Sequence, residues 1–93
     1  MSDYSLYILR CADGSLYTGI AVDVHKRIRE HENGVRGAKY LRGKAPLCLE
    51  FEQKVGDRGT AQKAEHCVKR LDRPGKEELL AGKRSLDDLL ERV

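Results

Sequence analysis

The first hydrophobic pattern in the chain predicts a β-hairpin close to the N-terminus. Residues 6–9 are a run of strand formers, residues 16–18 resume the strand character, and Asp13-Gly14 between them is a turn signal. Antiparallel pairing across such a turn brings Tyr7 and Tyr17 close to one another. The pattern therefore predicts two phenols near one another on a short sheet.

A helical pattern follows the hairpin and covers residues 24–33. Its apolar positions, at i, i+4 and i+7, are Val24, Ile28 and His31. Asp23 is a suitable N-cap, and Asn33-Gly34 ends the helix. At about 100° per residue, Arg27 falls at the edge of the apolar face, one turn from His31. We expect both side chains at the border between core and solvent, where packing can hold a side chain that still reaches a ligand.

The segment over residues 34–44 is rich in glycine and basic residues, and it predicts a loop around a short helical turn at residues 38–41. Its basic residues include Lys39, Arg42 and Lys44. Glycine lets backbone amides approach phosphate oxygens, and the bases neutralise phosphate charge. Tyr40 is either a platform on which a base stacks or a half-buried anchor of the loop. The segment lacks the spacing of a P-loop, so it does not predict nucleotide binding.

Two further elements, a strand and a helix, follow this loop. The strand over residues 47–52 alternates with period two, and its inward positions are Leu47, Leu49 and Phe51. Thr60 caps a helix over residues 61–71, and Glu65 falls at the margin of its apolar stripe rather than on its solvent face. A carboxylate in that position needs a partner, and the candidates are a metal ion or Lys69 at i+4.

Residues 72–93 predict a helical tail. Pro74 opens a helical turn that ends at Gly82, and Ser85 starts a last helix. The apolar positions of that helix are Leu86, Leu89, Leu90 and Val93. This stripe either covers one face of the sheet or pairs two chains into a homo-oligomer. The elements together predict an α+β fold in a single domain over residues 1–93, with a small three-stranded antiparallel sheet flanked by helices.

Length and composition are consistent with a single small domain. A chain of 93 residues with 40% hydrophobic and 35% charged residues is typical of one ordinary globular domain. It has no apolar run long enough to cross a membrane and no signal-peptide pattern at its start, so we expect a cytoplasmic protein without a membrane partner. Three widely spaced cysteines fit reduced thiols better than a disulfide framework.

The net charge of +3 is distributed unevenly along the chain. Residues 26–44 hold seven Lys or Arg (26, 27, 29, 36, 39, 42 and 44) against two acids (30 and 32). Residues 77–93 hold five acids (77, 78, 87, 88 and 91) against three bases (83, 84 and 92). The middle of the chain is therefore suited to face phosphates and the tail is not, the alternative being a solvated basic surface.

Four motifs in this order resemble the GIY-YIG nuclease superfamily. Ser5-Leu6-Tyr7 and Tyr17-Thr18-Gly19 are similar to its two namesake tripeptides, and the helix with Arg27 and His31 is similar to its first helix. The helix with Glu65 resembles the one that carries the family's metal-binding glutamate. The resemblance spans residues 5–71, leaves residues 72–93 as a C-terminal extension, and is strongest to the small stand-alone, YhbQ-like branch. It implies the same sheet flanked by helices.

The resemblance also implies an activity and roles for the site residues. It suggests a metal-dependent endonuclease that hydrolyses phosphodiester bonds in DNA with low sequence specificity or with selectivity for structure, linked to DNA repair or turnover. Tyr7 would be the general base or would orient the water, provided that a nearby cation lowers the pKa of its phenol. Tyr17 would hydrogen-bond in the same cleft, Arg27 would grip the scissile phosphate, and His31 would assist in phosphate contact or proton transfer. Glu65 would hold a single Mg²⁺ or Mn²⁺.

The residues expected to contact nucleic acid are Gly19, Lys26, Lys39, Tyr40, Arg42, Lys44 and Lys69. One departure from the family pattern is Ile20-Ala21, where several relatives have a lysine or another polar residue, and Lys26 or Lys69 would have to replace it. Two alternatives therefore stay open. One is a non-catalytic nucleic-acid-binding module, and the other is a protein-interaction adaptor that uses the leucine stripe of the tail.

Overall fold

The computed structural model describes residues 3–33, 41 and 43–91, and it shows an α+β fold. The strands are β1 (Tyr4–Arg10), β2 (Leu16–Ala21) and β3 (Cys48–Gly56), and the helices are α1 (Val24–Asn33), α2 (Arg58–Lys69), α3 (Arg73–Leu80) and α4 (Leu86–Glu91). The three strands form one antiparallel sheet in the order β2-β1-β3. The predicted fold class, with its helical C-terminal tail, is confirmed.

The β1-β2 hairpin has the turn that the sequence predicts. The amide of Gly14 donates to the carbonyl of Cys11 at 2.9 Å, and Gly14 has a φ of +86°, which glycine adopts without strain. The register pairs Leu9 with Tyr17 and Tyr7 with Gly19. Tyr7 and Tyr17 are therefore diagonal neighbours on one face of the sheet, which confirms the predicted proximity of the two phenols.

The central strand β1 is buried on both faces. Leu6 and Ile8 contact a core cluster built with Ala64, Val68, Leu79 and Leu86 from α2, α3 and α4. Tyr7 and Leu9 face the opposite way and pack in a second cluster with Val24, Ile28 and Tyr17. Helix α1 thus covers one face and the later helices cover the other. The edge strand β2 is where side chains from both layers can meet.

The tail packs on the sheet as one of the two predicted alternatives. Leu86 is buried in the first cluster, and the half-buried Leu89 and Leu90 pack against it. These contacts account for the leucine stripe within one chain. Pairing of two chains through this helix stays a prediction, and Val93 lies outside the described residues.

Two element boundaries differ from the prediction. Helix α2 begins at Arg58 with Asp57 as its N-cap, because the Asp57 carboxylate accepts the amide of Thr60 at 2.8 Å. Thr60 was therefore the wrong choice for the cap, because it lies inside the first turn and donates its own amide to the Asp57 cap. Strand β3 runs on to Gly56 because its period-two alternation continues through Val55.

Other features match the expectations or lie outside the described part. Helix α1 has the predicted bounds, and the Asp23 carboxylate accepts the amide of Lys26 at 3.0 Å. The predicted turn over residues 38–41 falls largely on residues that are not described. All three cysteines are free. In the described ranges, no helix has the length and apolar character needed to cross a bilayer.

Candidate active site

The phenol of Tyr7 is the centre of the candidate site. This side chain is only 1% exposed, and it lies over its cross-strand partner Gly19. A Cβ at position 19 would be 2.6 Å from the Tyr7 hydroxyl oxygen, closer than real Cβ contacts, and 3.1 Å from the Tyr17 ring, a tight contact. Only glycine therefore leaves room for the two tyrosines. Gly19 is itself buried, so packing of the phenol accounts for it.

His31 joins the two tyrosines in a three-ring cluster. The Tyr7 hydroxyl and His31 Nε2 are 3.0 Å apart in a buried hydrogen bond. The Tyr17 ring meets the His31 ring edge-on at a centroid distance of 5.6 Å, and the Tyr7 and Tyr17 centroids are 6.3 Å apart. Residues from β1, β2 and α1 thus place two phenols around one imidazole.

The pKa of the Tyr7 phenol is raised well above its ordinary value of 10. Burial is the main cause, and Tyr17 adds to the shift, while the charge and hydrogen bonding of Arg27 act weakly in the opposite direction. A general-base role for Tyr7 requires a nearby cation that lowers this pKa. Arg27 acts in that direction, but desolvation of the phenolate outweighs it, so the pKa is raised overall.

Tyr7 is therefore a protonated phenol at neutral pH, and His31 is a neutral imidazole. Burial lowers the pKa of His31 below its ordinary 6.5, and Arg27 lowers it further, against a smaller opposing effect of Glu30. A protonated phenol donates its hydrogen, so Nε2 is the acceptor in the 3.0 Å bond. The pair therefore holds one phenol proton in a hydrogen bond to a neutral imidazole nitrogen, an arrangement suited to proton transfer in a buried site.

Arg27 lies at the edge of this cluster, as its helical position predicts. Its guanidinium lies near enough to the Tyr7 phenol to lower the pKa of that group, and it pairs with Glu30 at 3.1 Å, one turn along α1. The side chain is about one-third exposed, at 33%. It therefore presents a fixed positive charge where the buried phenol approaches solvent, and a guanidinium there suits a phosphate group.

Glu65 approaches the same phenol from the other layer of the fold. Its carboxylate acts on Tyr7, whose pKa it helps to raise, and its side chain is 26% exposed. Lys69 Nζ lies 3.3 Å from a Glu65 carboxylate oxygen. The lysine partner that the sequence offered is therefore formed, and the charge of the carboxylate also acts on the Tyr7 phenol.

A divalent cation fits this donor set only if the substrate supplies some of its ligands. In the parts of the chain that the structure describes, no group of three or more His, Cys, Asp or Glu side chains could hold a metal ion. Mg²⁺ is commonly bound by one or two carboxylates, water and substrate phosphates, so a lone half-buried Glu65 is compatible with it. Glu65 is the residue that would hold such an ion.

The remaining predicted contacts with nucleic acid are placed apart from one another. Lys26 is exposed on α1, next to Arg27 in sequence. Lys44 pairs with Asp13 at 3.4 Å in the hairpin turn, beyond the end of the ladder that itself lies about 10 Å along the strands from the Tyr7–Gly19 pair. Three of the predicted residues, Lys39, Tyr40 and Arg42, lie outside the described residues.

A pocket beside Tyr17 adds a residue that the sequence did not indicate. The cavity has a volume of about 370 Å³, and its lining includes Leu16, Tyr17, Thr18, Lys69 and Lys76. Lys76 lies on α3, whereas Lys69 ends α2. No periodicity could have indicated Lys76, because the two lysines belong to separate helices and only the packing of these helices brings them to one pocket.

Comparison with known proteins shows the family of the chain. The chain matches the GIY-YIG catalytic domain over residues 3–78. It is 47% identical to the UPF0213 protein YhbQ of Escherichia coli O139:H28 (strain E24377A / ETEC) over 93 residues, covering 100% of this chain and 92% of the relative. The YhbQ protein of Salmonella arizonae is 44% identical with the same coverage.

Two solved structures are similar in fold and in sequence. The solution NMR structure of a UPF0213 protein from Bacillus halodurans has a TM-score of 0.57 and 37% identity, with 98% of this chain and 96% of that chain covered. A protein from E. faecalis has a TM-score of 0.62 and 36% identity, with coverages of 88% and 86%. Because the catalytic-domain match and these relatives cover most or all of the chain, it belongs to the GIY-YIG nuclease family, among the small UPF0213 (YhbQ) proteins.

Proposed function

We propose that this protein is a metal-dependent endonuclease that hydrolyses phosphodiester bonds in DNA. One observation carries the proposal: the buried Tyr7 phenol receives a hydrogen-bonding imidazole, a guanidinium and a carboxylate from two helices in different layers of the fold. Phosphodiester hydrolysis needs a proton acceptor for water and positive charge on the phosphate. His31 with Tyr7 meets the first need, and Arg27 meets the second.

The proton moves through Tyr7 to His31 in this proposal. As water attacks phosphorus and the bond from phosphorus to the leaving 3′ oxygen breaks, the water proton passes to the Tyr7 oxygen. The phenol proton passes at the same time to His31 Nε2, 3.0 Å away. Tyr7 is a phenol before and after the step, so its raised pKa is no obstacle, and His31 ends as the cation. The 3′ oxygen takes its proton from solvent.

Arg27 and Glu65 prepare the phosphate for this attack. The guanidinium of Arg27 binds the non-bridging oxygens and stabilises charge that develops on them. Glu65 would hold a single Mg²⁺ or Mn²⁺, which supplies Lewis-acid charge at the phosphate when bound. Lys69 must then release the carboxylate that it holds at 3.3 Å. Tyr17 keeps the imidazole oriented through its edge-on contact.

The substrate is proposed to be DNA that is cut with low sequence specificity or by its structure. The supporting feature is the arrangement of phosphate-binding groups, Arg27 and the nearby Lys26 and Lys69, rather than a groove-reading element in the described residues. Work in DNA repair or turnover in the cytoplasm is consistent with such an activity. Residues 5–71 would form the catalytic module, and residues 72–93 would form its C-terminal extension.

Cleavage of supercoiled plasmid tests the proposal. The wild type should nick plasmid with Mg²⁺ or Mn²⁺ and not with EDTA, and Glu65→Gln and Arg27→Ala should each abolish nicking. Glu52→Gln is the control for Glu65, because it removes an exposed carboxylate on β3. Circular dichroism melts of each variant show whether the fold is retained. Full nicking by both site variants would refute the assignment of these residues.

A second candidate function is a nucleic-acid-binding module without catalysis. The observation that favours it is the Glu65–Lys69 ion pair, which occupies the carboxylate in the absence of metal. This function predicts salt-sensitive binding without product, and binding unchanged in Glu65→Gln. If the wild type binds nucleic acid but does not nick plasmid with any metal ion, the binding module becomes the proposed function in place of the endonuclease.

A further inference from the structure

The pocket beside Tyr17 lies at the edge strand of the sheet, between two helices. Its lining brings Lys69 from the end of α2 and Lys76 from α3 next to Leu16, Tyr17 and Thr18 on β2. Strand β2 pairs only with β1 in the described sheet, so its outer edge is open to a ligand. Two lysines thus line one cleft together with a threonine and a tyrosine.

Of the two lysines in the pocket, Lys69 is paired with Glu65 at 3.3 Å, whereas the charge of Lys76 is not neutralised by a described neighbour. In the described part of the chain, no ion pair joins Lys76 to an acidic residue, although the acids Glu77 and Glu78 follow it directly. Glu77 pairs with Arg10 at 3.0 Å and with Arg73 at 2.9 Å, and Glu78 pairs with Arg84 at 3.3 Å. The nearby carboxylates of α3 are thus committed elsewhere, and Lys69 would join Lys76 in facing a ligand once Glu65 binds metal.

These ion pairs also fix the position of Lys76. Arg10 of β1 holds Glu77, and Arg73 donates from Nη2 to the carbonyl of Gly14 at 2.9 Å. Helix α3 is therefore attached to the hairpin at two points on either side of Lys76. The lysine stem is half-buried, so its ammonium is carried to the pocket by a rigid support rather than by a mobile side chain alone.

The pocket connects directly to the proposed active site. Tyr17 lines it and also contacts the ring of His31, and Lys69 lines it and also holds Glu65. We propose that this pocket binds a backbone phosphate of the nucleic acid next to the one that is cut, with Lys76 as a positioning residue. The inference rests on nucleic acid as the ligand of the site, but it needs binding only and not cleavage.

Binding measured without cleavage tests the inference. The probe is a fluorescein-labelled DNA duplex, and anisotropy is recorded in EDTA over a series of salt concentrations. Loss of one phosphate contact lowers the slope of log affinity against log salt by about 0.9 and weakens binding at 0.1 M salt about five- to tenfold. We expect both effects for Lys76→Ala, and we expect Lys76→Arg to restore the wild-type values.

Lys54→Ala is the control, because it removes an exposed lysine from β3 at the opposite edge of the sheet. If Lys76→Ala matches Lys54→Ala in both slope and affinity, the inference is overturned. If Lys76→Ala alters the slope but the wild type never nicks plasmid, the inference is supported and only the endonuclease is refuted. If the wild type nicks plasmid but the Lys76→Ala variant binds DNA as the wild type does, the inference is overturned and the endonuclease is kept.

Discussion

The phenol of Tyr7 lies directly against the backbone of Gly19, its cross-strand partner. A Cβ at position 19 would come within 2.6 Å of the hydroxyl oxygen and 2.7 Å of Cζ. The hydroxyl that lies over Gly19 is the one that meets His31 Nε2 at 3.0 Å. The glycine of the second tripeptide therefore creates the space in which the tyrosine of the first tripeptide can bind its histidine.

Gly19→Ala should destabilise the protein by about 1–3 kcal/mol, because the added methyl group displaces a buried ring. It should also abolish nicking, since the ring that moves carries the proton-transferring hydroxyl. Gly59→Ala is the control, because a Cβ there meets its nearest atom, an Asp57 carboxylate oxygen, at 3.6 Å, an ordinary contact. Urea unfolding should show no loss for that variant, and equal stability of the two would contradict the steric argument.

Tyr7→Phe removes the hydroxyl and keeps the ring. It should cost about 1–3 kcal/mol of unfolding free energy, because His31 Nε2 is left buried without its partner. Nicking should fall by about 10²–10⁴-fold, the usual contribution of a positioned proton-transfer group. Tyr4→Phe, at the start of the same strand, is the control and should change neither quantity. A fully active Tyr7→Phe variant would exclude proton transfer through this phenol.

The pH dependence should follow His31. Its pKa is lowered, so the folded protein keeps a neutral imidazole at a pH where the unfolded chain already binds a proton. Stability should therefore be complete above about pH 6.5 and decline as the pH falls through the lowered pKa of the folded state. The acid limb of nicking should lie below 6.5 for the same reason. An NMR titration of the His31 imidazole with a midpoint at or above 6.5 would contradict this.

Leu86→Ala should lower the free energy of unfolding by about 2–5 kcal/mol, because it leaves a cavity in the cluster that α4 completes. Val22→Ala, at a position that is 50% exposed, should change it by less than about 0.5 kcal/mol. The melting temperature of the wild type should not depend on protein concentration if the leucines serve their own core. A melting temperature that rises with concentration would favour the homo-oligomer instead.

The sequence by itself determined the hairpin, the bounds of α1 and the placement of Arg27 at the edge of its apolar face. These features depend on turn residues and on periodicity, which act over a few neighbouring residues. It also determined the family, because the two tripeptides and the helices occur in a specific order. The sequence pattern did not identify the N-cap of α2, because Asp57 and Thr60 lie three residues apart and each has a side-chain oxygen that can accept a helix amide.

Only the tertiary structure decided the protonation of the site and the presence of Lys76 beside it. The pKa of Tyr7 depends on how completely the sheet and α1 remove its phenol from water, and that burial comes from residues distant in sequence. Lys76 reaches the pocket because Leu79 packs α3 into the core and ion pairs join the helix to the hairpin across more than sixty positions of the chain, from Arg10 to Glu77. Local patterns cannot encode such contacts, because desolvation and helix docking are properties of the packed whole.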